Sequence, residues 1–420
     1  MKKYRVNSFF AGIGGFDIAF EKHGFKSLYF CEINPFCNEV LKEHWPSIKI
    51  EKDICGVSAE SIPMSDVWCG GFPCQDISVA RGASERRGLN GERSGLFYTY
   101  AKLIEACNPQ VVLMENVEGL YSSNNGRDLG IILQTMSKLG YAVAWRLMNS
   151  RYFGVPQSRT RIYICCWKNS LAGAVRVMFE PEGAASVTHE RAGFITPANK
   201  LGKYPQVPEV AYCLAASSGR HTGTDWSRTY VVCEDGIRRL TPSESERLQG
   251  FPNNWTLPLT NTYLNEDEID TLRYTAIGNA VTVPVVEWIA KRIYKELSNE
   301  CQYSISDVIK YIPEFHNIEW SDDFLMNTDF TDNSKSFKWP IAGIVWQGRY
   351  IGGIVSPTPS KIIKSSLLSL VDKEHASPRY YISPNAAEGI IRRVDRQGRK
   401  LFLPLREALE KEVLKKQIIL

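Results

Sequence analysis

The segment Gly70-Gly71-Phe72-Pro73-Cys74-Gln75 sets a thiol on a stiff turn after a short β-rich run, at the edge where α/β sheets build active sites. Eleven cysteines occur, and a buried structural thiol is the ordinary reading for the other ten, but Pro73 and the two glycines favour an exposed turn here. A free thiol titrates near ~8.5, so a nucleophilic Cys74 needs amides or cations nearby to raise its thiolate fraction. Arg81, Arg86, Arg87 and Arg93 follow in a Gly- and Ser-rich loop, as candidates for that bias and for phosphate contact; solvated loop charge is the alternative for each alone. Val112-Leu113-Met114-Glu115-Asn116-Val117 brings a carboxylate to the same edge behind an apolar run. A buried charge of that kind needs a partner or a task, and a satisfied core acid is the alternative. Gln157-Ser158-Arg159-Thr160-Arg161 sets two guanidinium groups on one strand face by period-two alternation, suited to an oxygen-rich planar ligand.

Phe9-Phe10-Ala11-Gly12-Ile13-Gly14-Gly15 ends a strand and opens a helix, which leaves bare amides where a nucleotide-like cofactor can approach; a tight turn is the plainer reading. Glu32 ends the next strand, where a ribose diol is gripped in such folds. Asp17 stands where a dinucleotide fingerprint wants its third glycine, so a nicotinamide cofactor fits less well than another adenosine-containing one.

These residues need a parallel sheet to bring them together. Tyr4 to Phe10, Phe25 to Cys31, Asp66 to Cys69, Gln110 to Met114 and Arg161 to Trp167 read as strands. Phe16 to His23, Pro35 to Trp45, Leu96 to Cys107 and Leu129 to Leu139 read as the intervening helices. The alternation predicts a doubly wound α/β fold. It stops near residue 168, where about 70 Gly-, Ala-, Ser-, Thr- and Pro-rich residues follow, and resumes at Arg238, with Pro284 to Leu297 as a further amphipathic helix. Residues 299 to 420 follow, and from 373 onward they hold eleven Lys or Arg against six Asp or Glu.

Length and composition agree with this division. At ~100–200 residues per domain, 420 residues make two or three domains. With 44% hydrophobic and 23% charged residues, a disordered, collagen-like or heptad-repeat chain is excluded. A formal net charge of +4 leaves a polyanionic partner open only if the positive charges cluster. No apolar run approaches the ~18–20 residues of a membrane span, and Asn7 and Asp17 break the apolar stretch after Lys2 and Lys3, so a cytoplasmic location is expected. No Cys-x-x-Cys pair occurs, and no metal site is expected.

In identity and order the blocks resemble the DNA (cytosine-5) methyltransferase family of bacterial or phage restriction-modification type. They are Phe10-Ala11-Gly12-Ile13-Gly14-Gly15, Pro73-Cys74-Gln75, Glu115-Asn116-Val117, Gln157 through Arg161, Arg239-Leu240-Thr241-Pro242 through Gly250-Phe251-Pro252, and Gly278-Asn279-Ala280-Val281. The resemblance covers about residues 4 to 168 and 237 to 298. It implies a class I, Rossmann-like, doubly wound and mostly parallel sheet, with a smaller loop-rich target-recognition domain and a C-terminal extension. The catalytic domain would be 1–168 plus 275–298, the target-recognition domain 169–274, and the extension 299–420, with auxiliary DNA contact.

The implied reaction moves a methyl group from S-adenosyl-L-methionine to carbon 5 of a flipped-out cytosine in double-stranded DNA. Cys74 matches the nucleophile that adds to carbon 6, Glu115 the acid at N3 and the exocyclic amine, Arg161 the contact to O2, and Arg159 its neighbour. For the cofactor, Phe10 matches the adenine face, Glu32 the ribose hydroxyls, and Asp53 with Ile54 the adenine edge. Gly12, Gly14 and Gly15 offer backbone amides, and Asn279 with Ala280 closes the pocket. Gln75, Ser78, Arg81, Arg86 and Arg87 are the DNA contacts of the catalytic loop. Arg220 and Arg228 are those of the recognition region, where arginine suits guanine. Three departures are Ser8 or Phe9 where the family often has an acid, Ile77 for an aromatic, and Ser243 for a basic residue.

The expected role is protection of host DNA in a restriction-modification system, by a monomer whose cognate endonuclease acts separately. Two alternatives use the same residues or fold. A transfer RNA cytosine methyltransferase is disfavoured by the separate recognition region, and a catalytically silent DNA-binding regulator by intact Cys74, Glu115 and Arg161.

Overall fold

The computed structural model describes residues 3–73, 96–187, 192–219, 225–257, 264–298, 312–315, 318–321, 323–373 and 376–419. The chain divides into two compact units. One comprises Met1–Asn149, Thr160–Val187 and Val285–Ile362; the other comprises Ser150–Arg159, Thr188–Pro284 and Ile363–Leu420.

The first unit is built on a nine-stranded sheet, order β11-β10-β6-β7-β5-β4-β1-β2-β3. Its parallel half consists of β1 (Arg5–Phe9), β2 (Lys26–Cys31), β3 (Lys49–Glu51), β4 (Val67–Gly70) and β5 (Val111–Val117). Beyond β5 the pairing turns antiparallel through β7 (Thr160–Lys168), β6 (Tyr141–Asn149), β10 (Ala342–Trp346) and β11 (Arg349–Gly353). Parallel strands need covered faces, and β1 from Val6 onward and all of β4 are accordingly buried, with Phe9 against Trp68 at 4.4 Å between ring centroids. The helix Leu96–Cys107 sends Tyr100 and Ile104 into that core and has the bounds expected from its spacing.

Four strands of this sheet, β3, β6, β10 and β11, were not expected from the sequence. All nine residues of β6 are buried, so no alternation marks it, and Arg146 interrupts its apolar run. The Arg146 guanidinium is 1% exposed and held by the carbonyls of Met178 and Ser356, both at 3.0 Å. The hairpin β10–β11 turns through Gln347 and Gly348, both at positive φ (50° and 81°), as the tight turn that matches strand twist requires. Gly343 lets β10 lie against β6, because a Cβ there would meet the Trp145 ring at 2.2 Å. This hairpin belongs to the segment 299–420, which therefore is not one separate extension: 312–362 complete the first unit and 363–420 lie in the second. Likewise 169–187, with the helix Leu171–Met178, join the first unit, while 275–284 fall in the second.

In the second unit, the two-stranded sheet β8 (Tyr230–Val232) and β9 (Ile237–Arg239) leads into the helix Pro242–Gln249. Thr241 and Glu244 form a capping box there, and Glu244 also pairs with Arg238 through two 2.8 Å bonds, both side chains 1% exposed. Each buried charge thus has the other as a bidentate partner, which offsets much of the cost of holding the pair out of water, while Arg238 Nε is left without an acceptor among the described residues. Among the described residues, no helix is long and apolar enough to cross a membrane.

Candidate active site

Strand register sets the site's height. Glu51, Cys31, Phe9, Gly70 and Met114 are successive partners across β3, β2, β1, β4 and β5. The next residue of four of these strands therefore emerges on one row at the carboxyl edge: Glu32, Phe10, Gly71 and Glu115. The sheet thus brings the glycine loop, the ribose-type acid, the run into Cys74 and the second acid to a common edge.

On β1's side the chain turns through Phe10 at φ 52°, Gly12 at φ 56° and Gly14 at φ 80°. A non-glycine residue in the left-handed region costs about 1–2 kcal/mol, and such strain collects at functional sites. The Phe10 ring meets Tyr100 edge-on at 5.9 Å. A Cβ on Gly12 would touch nothing within 4 Å, so that backbone faces open space; one on Gly14 would strike the Trp45 ring at 2.4 Å. Glu32, 9% exposed, accepts from the Gly12 and Asn34 amides, both at 2.7 Å. Burial raises its carboxyl above the ordinary range, and those amides pull the other way. Gly15 is buried as the first residue of the helix Gly15–Glu21. Asp53, at the exit of β3, caps a short turn by accepting from the Cys55 amide at 2.9 Å, and the neighbouring Ile54 is buried.

On the other side, Glu115 is 8% exposed and its Oε1 lies 3.2 Å from Arg161 Nε. The pair forms because β7 runs antiparallel to β5, which sets Val117 opposite Arg161 and Glu115 opposite Tyr163. Asn116 Nδ2 donates to the Phe72 carbonyl at 3.2 Å, and a Cβ on Gly71 would sit 3.2 Å from Glu115 Oε2. The segment leading into Cys74 is thereby tied to the strand that carries the acid. Cys74, Gln75, Ser78, Arg81, Arg86, Arg87 and Arg220 lie outside the described residues.

Arg159 does not share a strand face with Arg161, because β7 begins at Thr160. It belongs to the second unit, where its 3% exposed guanidinium donates to the carbonyls of Leu214 (2.9 Å), Gly278 (3.2 Å) and Ala280 (2.8 Å). Asn279 ends the helix Glu266–Asn279 and Ala280 caps it, also in that unit. The Arg228 guanidinium donates to Ser217 O at 2.7 Å, and burial lowers its pKa.

Sequence reasoning used Asp17 to set aside a dinucleotide and to break the N-terminal apolar stretch, and gave it no place in the site. The structure buries it completely beneath the glycine loop, where Oδ1 accepts from Ser8 Oγ at 2.7 Å and Ser27 Oγ at 3.0 Å. Ser8 Oγ also lies 3.1 Å from Cys69 Sγ, so the cluster links β1, β2 and β4. The available signal was a lone acid in an apolar helical run. Burial outweighs the two hydroxyl bonds and raises the Asp17 pKa from 3.8 to about 7. The folded chain therefore holds this proton over a window in which the unfolded chain has lost it, and stability falls as pH rises from 3.8 to about 7. Asp17→Asn, which imitates the neutral acid, should gain in melting temperature on the wild type across that window and level off above it. Parallel melting curves for the two proteins from pH 4 to 8 would refute the assignment.

Comparison with known proteins bears on this geometry. The model of the C-5 cytosine-specific DNA methylase family matches residues 4–209 and 194–295. The chain is 31% identical over 305 residues to Type II methyltransferase M2.BsuMI of Bacillus subtilis, covering 69% of this chain and 75% of that one. It is 29% identical over 325 residues to Type II methyltransferase M.Bsp6I of a Bacillus species, covering 70% and 99%. The S. pombe Dnmt2 methyltransferase structure is similar at a TM-score of 0.53 and 18% identity, covering 71% of this chain and 100% of that one, a likeness of fold.

Proposed function

Because this chain belongs to the C-5 cytosine-specific DNA methylase family and is a DNA (cytosine-5) methyltransferase, we propose a methyl transfer that proceeds through a covalent bond between Cys74 and the cytosine ring. In this reading the methyl donor is S-adenosyl-L-methionine and the acceptor is carbon 5 of a cytosine flipped out of duplex DNA. The observation that carries it is the Glu115–Arg161 pair at 3.2 Å, on the sheet edge toward which Asn116 ties the run into Cys74.

The carboxyl edge of the parallel half suits the donor. Glu32 retains lone pairs for a ribose diol, since each carboxylate oxygen accepts more than the one backbone amide it has. Phe10 offers a ring face to adenine, Asp53 and Ile54 its edge, and Gly12 and Gly14 offer backbone without side chains. S-adenosyl-L-methionine, when bound, supplies an electrophilic methyl carbon on a sulfonium.

The protein's own groups do the remaining work. Carbon 5 of cytosine is too weak a nucleophile alone, so the Cys74 thiolate adds to carbon 6 and the displaced electron pair makes carbon 5 enamine-like. Glu115 holds N3 and the exocyclic amine, where charge develops during that addition. Arg161 holds O2 and keeps Glu115 oriented. Once carbon 5 is methylated, a base removes its proton and the Cys74 thiolate leaves, restoring the ring.

The biological reading is protection of DNA in a restriction-modification system by a cytoplasmic monomer, with any cognate endonuclease acting separately. Support comes from the names of the relatives, which are Type II methyltransferases. The test is trapping on duplex DNA containing 5-fluorocytosine. A cofactor-dependent, denaturation-resistant adduct is expected on duplex DNA and not on transfer RNA. Absence of the adduct on mixed-sequence duplexes would defeat the covalent mechanism.

A further inference from the structure

The match to the family model ends at residue 295, yet the C-terminal helices Pro384–Arg396 and Leu403–Ile419 belong to the second compact unit. Ala387, Ile390 and Val394 recur at helical spacing. With Phe402, Leu405 and Leu409 they pack on Tyr230, Val232 and Ile237 of β8 and β9. A helix that turns 387, 390 and 394 inward turns Arg392 and Arg396 to the opposite side. Both are exposed, as are Arg399 and Lys400 just beyond the helix.

The neighbouring arginines show what engaged ones look like. Arg393 Nε donates to buried Asp225 at 2.8 Å, and Arg406 pairs with Asp395 and Glu410, both at 2.6 Å. Arg392, Arg396 and Lys400 make no ion pair among the described residues. Arg399 stacks over the Trp226 ring at 4.4 Å, which leaves its N–H edge available. From 392 to 400 the chain carries five Lys or Arg against one acid, Asp395, which Arg406 already neutralises. Exposed cations this dense raise the local positive potential, which attracts a polyanion.

We propose that Arg392, Arg396, Arg399 and Lys400 form a phosphate-binding surface for duplex DNA, attached to the turn Asp225–Ser227 by the Arg393 and Arg399 contacts. The proposal rests on the DNA-methyltransferase reading for its partner. Because the surface grips phosphates, its contribution is independent of base sequence and weakens with salt.

The full-length triple variant Arg392→Gln/Arg396→Gln/Lys400→Gln tests it on a duplex of A·T pairs only, which contains no cytosine and makes the readout independent of methyl transfer. Loss of three phosphate contacts should lower the slope of log affinity against log salt by about 2 to 3 and weaken binding more than about tenfold near 0.15 M salt. Arg392→Lys/Arg396→Lys, which keeps the charge, should retain the wild-type slope. A wild-type slope in the triple variant overturns the proposal, and a fall in melting temperature alone would leave these arginines as helix-terminus counter-charges. A slope that falls on transfer RNA but not on the duplex would also overturn it. If wild-type protein methylates no DNA while the slope still drops, the catalytic reading fails and this surface stands.

Discussion

Cys74→Ser should lower methyl transfer by at least ~10³-fold while leaving affinity for duplex DNA and for S-adenosyl-L-methionine within a few-fold of the wild type. The reason lies in two requirements placed on one atom. The nucleophile must be substantially ionised near neutrality to add to carbon 6, and it must leave again when the ring is restored. A thiol titrating near ~8.5 meets both, whereas a serine hydroxyl is not ionised at neutral pH and leaves poorly. Binding should survive because the groups proposed to hold the donor, Phe10, Glu32 and Asp53, lie at the ends of β1, β2 and β3 and not on the Cys74 loop. Titration of labelled duplex by polarisation, calorimetry of the cofactor and a tritium-transfer assay read the three quantities separately. Turnover within tenfold of wild type would assign the nucleophile to another residue.

Glu115→Gln is expected to reduce turnover by ~10²–10⁴-fold, the range for a positioned acid that meets developing charge. Glutamine keeps the volume of the side chain and an oxygen that can still accept from Arg161, whose Nε lies 3.2 Å from the present carboxylate. Glu115 and Arg161 side chains are 10% and 16% exposed, so solvent cannot stand in for either partner. The variant should therefore fold, with its melting temperature near that of the wild type, but give less adduct on 5-fluorocytosine DNA, because addition of Cys74 itself needs the charge at N3 stabilised. If adduct and turnover both persist, Glu115 serves only to hold Arg161. The two variants are thus told apart by which steps they retain: Cys74→Ser forms no adduct at all, and Glu115→Gln forms it slowly.

Four of the five strands of the parallel half, β1, β2, β4 and β5, were legible in the sequence because they are short β-rich runs separated by helices with local stop signals. Gly24 ends one such segment and Pro35 begins another. The three-residue β3 is too short to carry a pattern. β6 was not legible, since complete burial removes alternation and Arg146 is tolerated inside through carbonyls of residues 178, 356 and 358, distant in sequence. The β10–β11 hairpin was equally obscure: its place beside β6 depends on Gly343 fitting the Trp145 ring, a contact between residues nearly two hundred positions apart. Within the site, Glu115 and Arg161 were legible as residues but their pairing was not, and Arg159 was expected on the same strand face although its guanidinium is taken up by Leu214, Gly278 and Ala280.

Reactive groups and their order along the chain are local properties, written in short stretches where a glycine, proline, thiol or acid has few alternative uses. By itself the sequence therefore determined the chemistry available to this protein and the sheet edge that would present it. Which of those groups meet, which buried carboxyl keeps its proton, as Asp17 does, and where the residues after 298 go were decided only by the tertiary structure. Each depends on register, burial and packing between segments far apart in the chain, where desolvation and close approach outweigh local preference.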